Sequence, residues 1–417
     1  MTTSRESATA VRPSGIWHVF SAAPHRMFFL AGTVQIVLIM GWWTVTLSSL
    51  YGILPAGGTR LNPVWAHAFL MIYGLFPFFI FGFLATVYPR WMNTPALSRR
   101  TYVSASLLMA GGGALFYPGL YAGTGIVALA TAVFLCGWLT ILVALLRVYH
   151  AAGQRGPHER ALNLALAAGA LGIACFAVAA VSGNPTWFVA AREFGLWMFL
   201  VPVVFGVSHR MIPFFGNSVL ENYRIVRPAW SLPLVLVCAT GHAVLVLWGE
   251  RRWLFVCDLP LMLTGLYHSV AWGFRRSFHD RLLAMLHIAF FWFTLATALY
   301  SLQSLVLLGS GRLLFGRAPL HALGIGFVLG MVVAMVSRVS LGHSGRALVA
   351  DHLTWITLLG INVTALLRLA AALTAPFFVY AHFFNLAAAG AWLVCLAPWV
   401  WRYAPMYLRP RIDGRAG

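Results

Sequence analysis

Lysine is absent from the 417-residue sequence, and only nine residues are acidic. Charged residues of all kinds make up 9% of the chain, whereas hydrophobic residues make up 61% and the mean hydropathy is +0.83. A soluble domain needs far more polar surface to remain in water. The scarcity of charge therefore excludes a soluble globular protein and predicts that most of the chain is buried in lipid.

Paired cysteines are also lacking. Five cysteines occur singly in apolar stretches, without a CxxC pair and without the CxxCH pattern that attaches haem covalently. This excludes a disulfide framework and a c-type haem, and we expect the cysteines to be packing residues. They are Cys136, Cys175, Cys238, Cys257 and Cys395.

The net charge of +19 comes from 28 basic residues, all of them arginine. Most of these arginines lie in short segments between apolar runs, and not in a single patch or tail. Basic residues in short loops determine membrane orientation, so the charge indicates a membrane lipid environment and no nucleic-acid partner.

Apolar runs long enough to cross a membrane, at about 20 residues each, recur along the whole chain. The sequence therefore predicts an all-α integral membrane protein with about twelve transmembrane helices. We place them at 27–50, 63–89, 101–121, 125–148, 161–182, 189–213, 229–249, 253–274, 281–306, 318–338, 352–372 and 377–401. They form one membrane domain, 25–403, between polar tails at 1–24 and 404–417. The first run is too long for a signal-peptide core and should be retained as a span.

The arginines also predict the orientation. If the N-terminus is cytoplasmic, the segments on that side contain 21 of the 28 arginines, which agrees with the positive-inside rule. We expect a multi-pass protein of the bacterial inner membrane with both termini in the cytoplasm.

Five ionisable residues on five different spans share one layer of the membrane when depth is counted at about 1.5 Å per residue. This layer lies in the outer part of the bilayer. An ionisable group within a span is costly and is a functional candidate by default. The five residues are His67, Glu193, His242, His321 and His382.

His67 and His321 lie at matching depth on the second and tenth spans. Two such imidazoles can bind a haem iron from both sides, so the pair predicts a non-covalent haem site. Gly324, Gly326 and Gly330 follow His321 along the tenth span. Small residues there would let a flat macrocycle approach the backbone, or equally a neighbouring helix. Both interpretations stay open.

Glu193 and Asp258 are the carboxylates within spans. Glu193 is a candidate catalytic group as a proton carrier or metal ligand, or it is an interfacial partner of Arg192. His242 with Glu193, and His382 as a third ligand, would suit a second metal ion such as copper.

Several of these residues belong to segments that resemble the NnrS family, haem- and copper-containing membrane proteins linked to nitric oxide stress. The longest is His321–Arg346, covering the tenth span and its exit. Three others agree: Pro24–Leu30, Arg210–Phe215, and Leu286-His287 at the start of the ninth span. The resemblance implies haem b and copper as cofactors and nitric oxide as a partner.

One segment departs from the family pattern. Family members usually carry His-Ala-His-Glu-Met on the second span, whereas this chain has Trp65-Ala66-His67-Ala68-Phe69. One histidine and the glutamate are missing, and His67 remains.

The segment His67–Pro77 also resembles the second helix of haem–copper oxidase catalytic subunits, which are twelve-span bundles. There, histidines of the second and tenth helices bind the low-spin haem. In this chain Glu193 stands in place of the copper ligand on the sixth helix, the seventh helix has only His242, and Pro319 replaces a further histidine of the tenth. The resemblance implies a retained low-spin haem site and an altered oxygen-reducing centre.

Three functions fit these features. The first is a b-type haem protein of the NnrS kind, acting in nitric oxide tolerance or electron transfer. The second is an oxidoreductase that reduces nitric oxide or oxygen with electrons from a donor such as quinol. The third is a transporter, although the sequence shows no inverted repeat or broken-helix pattern.

Overall fold

The computed structural model of the chain describes residues 15–55, 57–375, 377 and 379–414. This part of the chain is helical and contains no β-strand. A short helix, Ile16–Phe20, precedes twelve long ones. The long helices, α1 to α12 in order, are Pro24–Leu50, Pro63–Trp91, Arg99–Ala122, Thr124–Ala151, Pro157–Ser182, Pro185–Val219, Ser231–Leu247, Arg251–Ala271, Arg281–Ser310, Ala318–His343, His352–Thr374 and His382–Leu408.

Eleven of the twelve helices are long and apolar enough to cross a membrane, and α7, with 17 residues, is shorter. The predicted all-α membrane fold is confirmed, and each long helix coincides with one predicted span. The largest differences lie at α6, which continues to Val219, and at α12, which begins at His382 and continues to Leu408. The last helix thus extends into the segment from 404 that the sequence assigns to a tail.

Side-chain caps and prolines determine where several helices begin. The Asn62 side chain accepts a hydrogen bond from the Val64 amide at 2.9 Å, and Pro63 occupies the first turn of α2. Asn184 and Pro185 start α6 in the same way. A cap satisfies an amide that has no partner in the helix, and proline has no amide to satisfy there. The starts of the two helices that carry His67 and Glu193 are therefore determined locally.

The start of α1 and the segment just after α12 lie together at one end of the bundle. The Arg26 guanidinium, at the start of α1, donates a hydrogen bond to the carbonyl of Arg409, just after α12, at 2.8 Å. We call this end the termini face. At the other end, the opposite face, the Asn385 side chain of α12 donates to the Tyr51 hydroxyl after α1 at 2.7 Å. Consecutive helices alternate in direction, so even-numbered helices begin at the opposite face.

Four helices form the centre of the bundle. Each candidate span contains an apolar stretch of 18 residues. The buried share of this stretch is 72% to 89% in α2, α6, α9 and α10 but 50% or less in the other candidate spans. Lipid-facing helices bury only one side, whereas central helices are covered on all sides. The candidate residues His67, Glu193 and His321 all belong to central helices.

Candidate haem and metal site

His67 and His321 lie near the opposite face, four residues into α2 and three into α10. His67 is among the groups that act electrostatically on His321, and both rings experience the positive charges of Arg317 and Arg368. The two imidazoles therefore lie in one region of the bundle together with two arginines, and their role as haem ligands stays a prediction. Two arginines beside two neutral rings would favour an anionic group in the same place.

Hydrogen bonds determine the tautomer of His321. Its Nδ1 lies 2.8 Å from the carbonyl oxygen of Arg317, which can only accept, so Nδ1 carries the proton. Its Nε2 accepts a hydrogen bond of 3.0 Å from the Arg368 guanidinium. A histidine that donates from one ring nitrogen to a carbonyl is oriented to bind a metal through the other. Arg368 occupies that other nitrogen in this structure.

His67 is held by stacking. Its ring lies on the indole of Trp43 with centroids 4.0 Å apart and planes at 11°. Its Nδ1 is buried and has no hydrogen-bond partner. Because buried polar atoms are nearly always paired, this nitrogen is a position where a ligand or water would complete the site.

The three glycines of α10 have different surroundings. A Cβ added to Gly324 would meet nothing within 4 Å, so an open space lies beside the helix one turn below His321. A Cβ at Gly326 would clash with the Trp292 ring, and one at Gly330 would meet Ala289 at 3.0 Å, both on α9. The helix-packing interpretation therefore applies to Gly326 and Gly330. No described side chain packs against Gly324, so the approach of a macrocycle stays open at this position.

Each central candidate residue is followed by a π-helical stretch. His67 precedes Leu70–Leu75 in α2, Glu193 precedes Leu196–Leu200 in α6, and His321 precedes Ala322–Leu329 in α10. π-helical turns are rare and are frequently found at functional sites. They also shift the direction of the side chains on either side of them. Local sequence does not reveal these turns, because the apolar pattern of the spans is uninterrupted.

Glu193 is 3% exposed and pairs through Oε1 with Arg192, whose Nη2 lies 2.6 Å away. The predicted partnership with Arg192 is therefore present. The second carboxylate oxygen, Oε2, is buried without a partner. Glu193 thus keeps one oxygen available for a proton or a metal ion.

His242 pairs with Asp258 of α8. The His242 Nδ1 lies 2.7 Å from the Asp258 Oδ1, and both side chains are buried. The His242 ring stacks on Trp197 with centroids 3.7 Å apart, and its edge faces Tyr300 of α9. The sequence identifies Asp258 as a carboxylate within a span, but it does not identify His242 as its partner. The two residues meet only when α7 and α8 pack against each other in the fold.

His382 lies at the opposite face beside Tyr51 and Phe383, with ring centroids 5.1 and 4.4 Å away. The ring of His382 thus lies near the end of α1, whereas that of His242 lies against α6 and α9. Among the described residues, no three histidine, cysteine or carboxylate side chains are grouped so that they could hold a metal ion. A copper site formed by Glu193, His242 and His382 stays a prediction.

A cavity of about 50 Å³ lies elsewhere, in the half of the bundle toward the termini face. Its walls come mainly from α2, α6 and α10 and are apolar, including Phe79, Val204 and Met335. A metal ion or charged ligand needs polar donors, so this cavity is not the predicted cofactor site.

The fold and these side chains define a class: a polytopic helical membrane protein with imidazoles of two central helices in one region and a buried carboxylate, Glu193, on a third. The sequence model of one family, described as NnrS protein, matches residues 19–411. The chain therefore belongs to the NnrS family, and the resemblance seen in the sequence is confirmed. Members of this family are generally associated with haem and copper and with the response to nitric oxide. No curated protein matches the chain.

Proposed function

We propose that this protein is a b-type haem membrane protein that acts in nitric oxide tolerance or electron transfer, and that His67 and His321 would hold the haem iron. One observation carries the proposal. The imidazoles of His67 and His321, on two central helices, both lie in the electrostatic field of Arg317 and Arg368, and there is open space beside Gly324, one turn from His321.

The residues present fit a haem. His321 would bind through Nε2, with its Nδ1 still donating to the Arg317 carbonyl. Arg368 would then release Nε2, and its guanidinium together with that of Arg317 would pair with the carboxylates of the macrocycle. Haem with two histidine ligands supplies an iron that exchanges one electron.

The second candidate function is a nitric oxide or oxygen reductase with copper as a further cofactor and quinol as electron donor. The His242–Asp258 pair favours it, because a carboxylate on Nδ1 orients a histidine to bind a metal through Nε2. Glu193 would deliver the protons that such a reduction consumes, since its Oε2 is buried and unpartnered.

An absorption spectrum with iron and copper quantification on purified protein tests the first function. We expect a Soret band in the wild type and its loss in His67→Ala and in His321→Ala, because neutral imidazoles at these positions hold the iron. His279→Ala is the matched control, since His279 is exposed at the termini face. Gel filtration of each variant separates loss of haem from loss of fold.

A colourless wild-type protein without iron, or a Soret band that survives both substitutions, would refute the haem assignment. Membranes that consume nitric oxide or oxygen with a quinol donor, and that lose this activity in Glu193→Gln while keeping the Soret band, would support the reductase. Membranes that consume neither gas with any donor would refute it.

A further inference from the structure

A second cluster of basic side chains lies at the termini face, far from the candidate haem site. It joins the start of α1 to the ends of α2 and α10 and to the segment after α12. His25 and His343 face each other with ring centroids 4.4 Å apart. Arg26, Arg90 and Arg411 all act electrostatically on both rings. Four separate parts of the chain thus bring basic groups to one place.

Two members of the cluster are buried and only partly satisfied. His25 and Arg26 are each 3% exposed. The Nδ1 of His25 and the Nε of Arg26 have no hydrogen-bond partner. The Nη1 of Arg26 donates to the carbonyls of Tyr407 and Arg409, so its guanidinium contacts neutral acceptors. A buried guanidinium is expected to have an anionic partner.

The described part of the chain supplies little negative charge here. The charged groups that act on His25 are His343, Arg26, Arg90 and Arg411, and all of them are basic. No carboxylate among the described residues forms an ion pair with Arg26 or Arg90; Asp413 pairs with Arg411. The cluster therefore combines the charges of Arg26 and Arg90, which no described carboxylate pairs, with two buried nitrogen atoms, His25 Nδ1 and Arg26 Nε, that lack hydrogen-bond partners.

We infer that this cluster, His25, Arg26, Arg90, His343 and Arg411, binds a phosphate-class oxyanion. Several donors around a compact positive pocket match the acceptor oxygens of a phosphate group. The cluster lies at the membrane boundary between helix ends, where basic pockets bind the headgroups of anionic lipids. A free phosphate presents the same oxygens. The inference is independent of the proposed haem.

Binding of two probes to the full-length protein tests the inference. In lipid-free detergent, the thermal unfolding midpoint is measured against inorganic phosphate, with chloride at equal ionic strength as the comparison. In nanodiscs without phosphate in the buffer, phosphatidylglycerol is compared with phosphatidylcholine. We expect inorganic phosphate or phosphatidylglycerol, the two probes with a net negative charge, to raise the midpoint, because a ligand that binds only the folded state stabilises it.

Variants locate the effect. His343→Gln and Arg90→Gln should weaken the apparent affinity by about tenfold or more, since a hydrogen bond to a charged group contributes about 1.5–3 kcal/mol. These two positions are preferred to Arg26, because Arg26 also joins α1 to the end of α12. Arg100→Gln is the matched control: Arg100 is exposed at the same face, beyond the cluster.

A rise with inorganic phosphate in detergent identifies a free phosphate as the ligand. A rise only with phosphatidylglycerol identifies a lipid headgroup. The inference is overturned if neither probe stabilises the wild type more than its comparison. It is equally overturned if Arg100→Gln reduces the effect as much as His343→Gln does, because surface charge alone would then explain the binding.

Discussion

At the scale of single residues, the environment of each imidazole decides what it can bind. His321 has its Nδ1 proton directed at the Arg317 carbonyl and its Nε2 occupied by Arg368, whereas His67 keeps Nδ1 buried and unpaired. The two candidate haem ligands therefore differ: His67 has a ring nitrogen without a hydrogen-bond partner, whereas both ring nitrogens of His321 are hydrogen-bonded. Arg368 is the group that would move when the site is filled.

Gly324 and Gly326, two residues apart on α10, should respond oppositely to larger side chains. Gly324→Leu should lower the haem content while the protein still folds, because it fills the open space below His321 without a clash. Gly326→Ala should lower the free energy of unfolding by about 1–3 kcal/mol, because its Cβ would clash with Trp292. Thermal unfolding in detergent and the ratio of Soret absorbance to protein absorbance measure the two effects.

Gly326→Ala serves as the control for Gly324→Leu, since both enlarge a glycine of the same helix. A Gly324→Leu protein with full haem content would show that the space beside α10 is not where the macrocycle lies.

At the scale of helices, the π-helical stretches of α2, α6 and α10 distinguish the central helices that carry His67, Glu193 and His321. Each stretch begins within three residues of its candidate residue. A wider turn changes which side chains face the bundle below that point. Side-chain direction at the site therefore depends on these turns as well as on the position of each residue in the sequence.

The cap of α11 gives a test outside the membrane. Burial raises the pKa of Asp351, but hydrogen bonds from the Thr354 hydroxyl and amide, with the charges of Arg402 and His352, outweigh it, and the pKa lies below its usual value. A lowered pKa in the folded state stabilises the fold above the unfolded value of about 3.9 and loses that effect as pH falls through the folded pKa. Asp351→Ala should therefore lower the free energy of unfolding by about 1 kcal/mol at neutral pH.

Thermal unfolding of wild type and Asp351→Ala at pH values from neutral to about 3 measures this effect. The difference between them should shrink at the acid end. Asp351→Asn is the control, because asparagine also caps helices but has no carboxylate to titrate. A difference that stays constant with pH would mean that the carboxylate charge contributes nothing to the cap.

At the scale of the whole molecule, the topology depends on α7. Its 17 residues extend about 26 Å at 1.5 Å per residue, which is slightly less than a hydrocarbon core of about 30 Å. If α7 crosses, both termini lie on the same side, as the hydrogen bond between Arg26 and the Arg409 carbonyl requires. The arginine distribution predicts that this side is the cytoplasmic one.

Reporter fusions after Arg227 and after Gly249, on either side of α7, test this topology. We expect the reporter at Arg227 to be cytoplasmic and the reporter at Gly249 to be external, because α7 crosses once between them. A fusion after Arg409 should match Arg227. Reporters on the same side of the membrane at Arg227 and Gly249 would show that α7 does not span.

The sequence predicts the fold closely because hydropathy alone distinguishes a span from a loop, and because prolines and caps at Pro63 and Pro185 mark where helices begin. It also predicts the family and the depth of the candidate residues, since depth follows from the rise per residue. The second carboxylate, Asp258, is visible in the sequence as a rare charge within a span.

Which residues of different helices pair with each other was decided only by the tertiary structure. The pairing of His242 with Asp258, the bond from Arg368 to His321 and the meeting of His25 with His343 all join residues from different helices. Hydropathy gives a helix its depth but not its rotation or its neighbours. Those depend on how small residues and π-helical turns let the helices pack, so chemistry between helices becomes visible only in the assembled bundle.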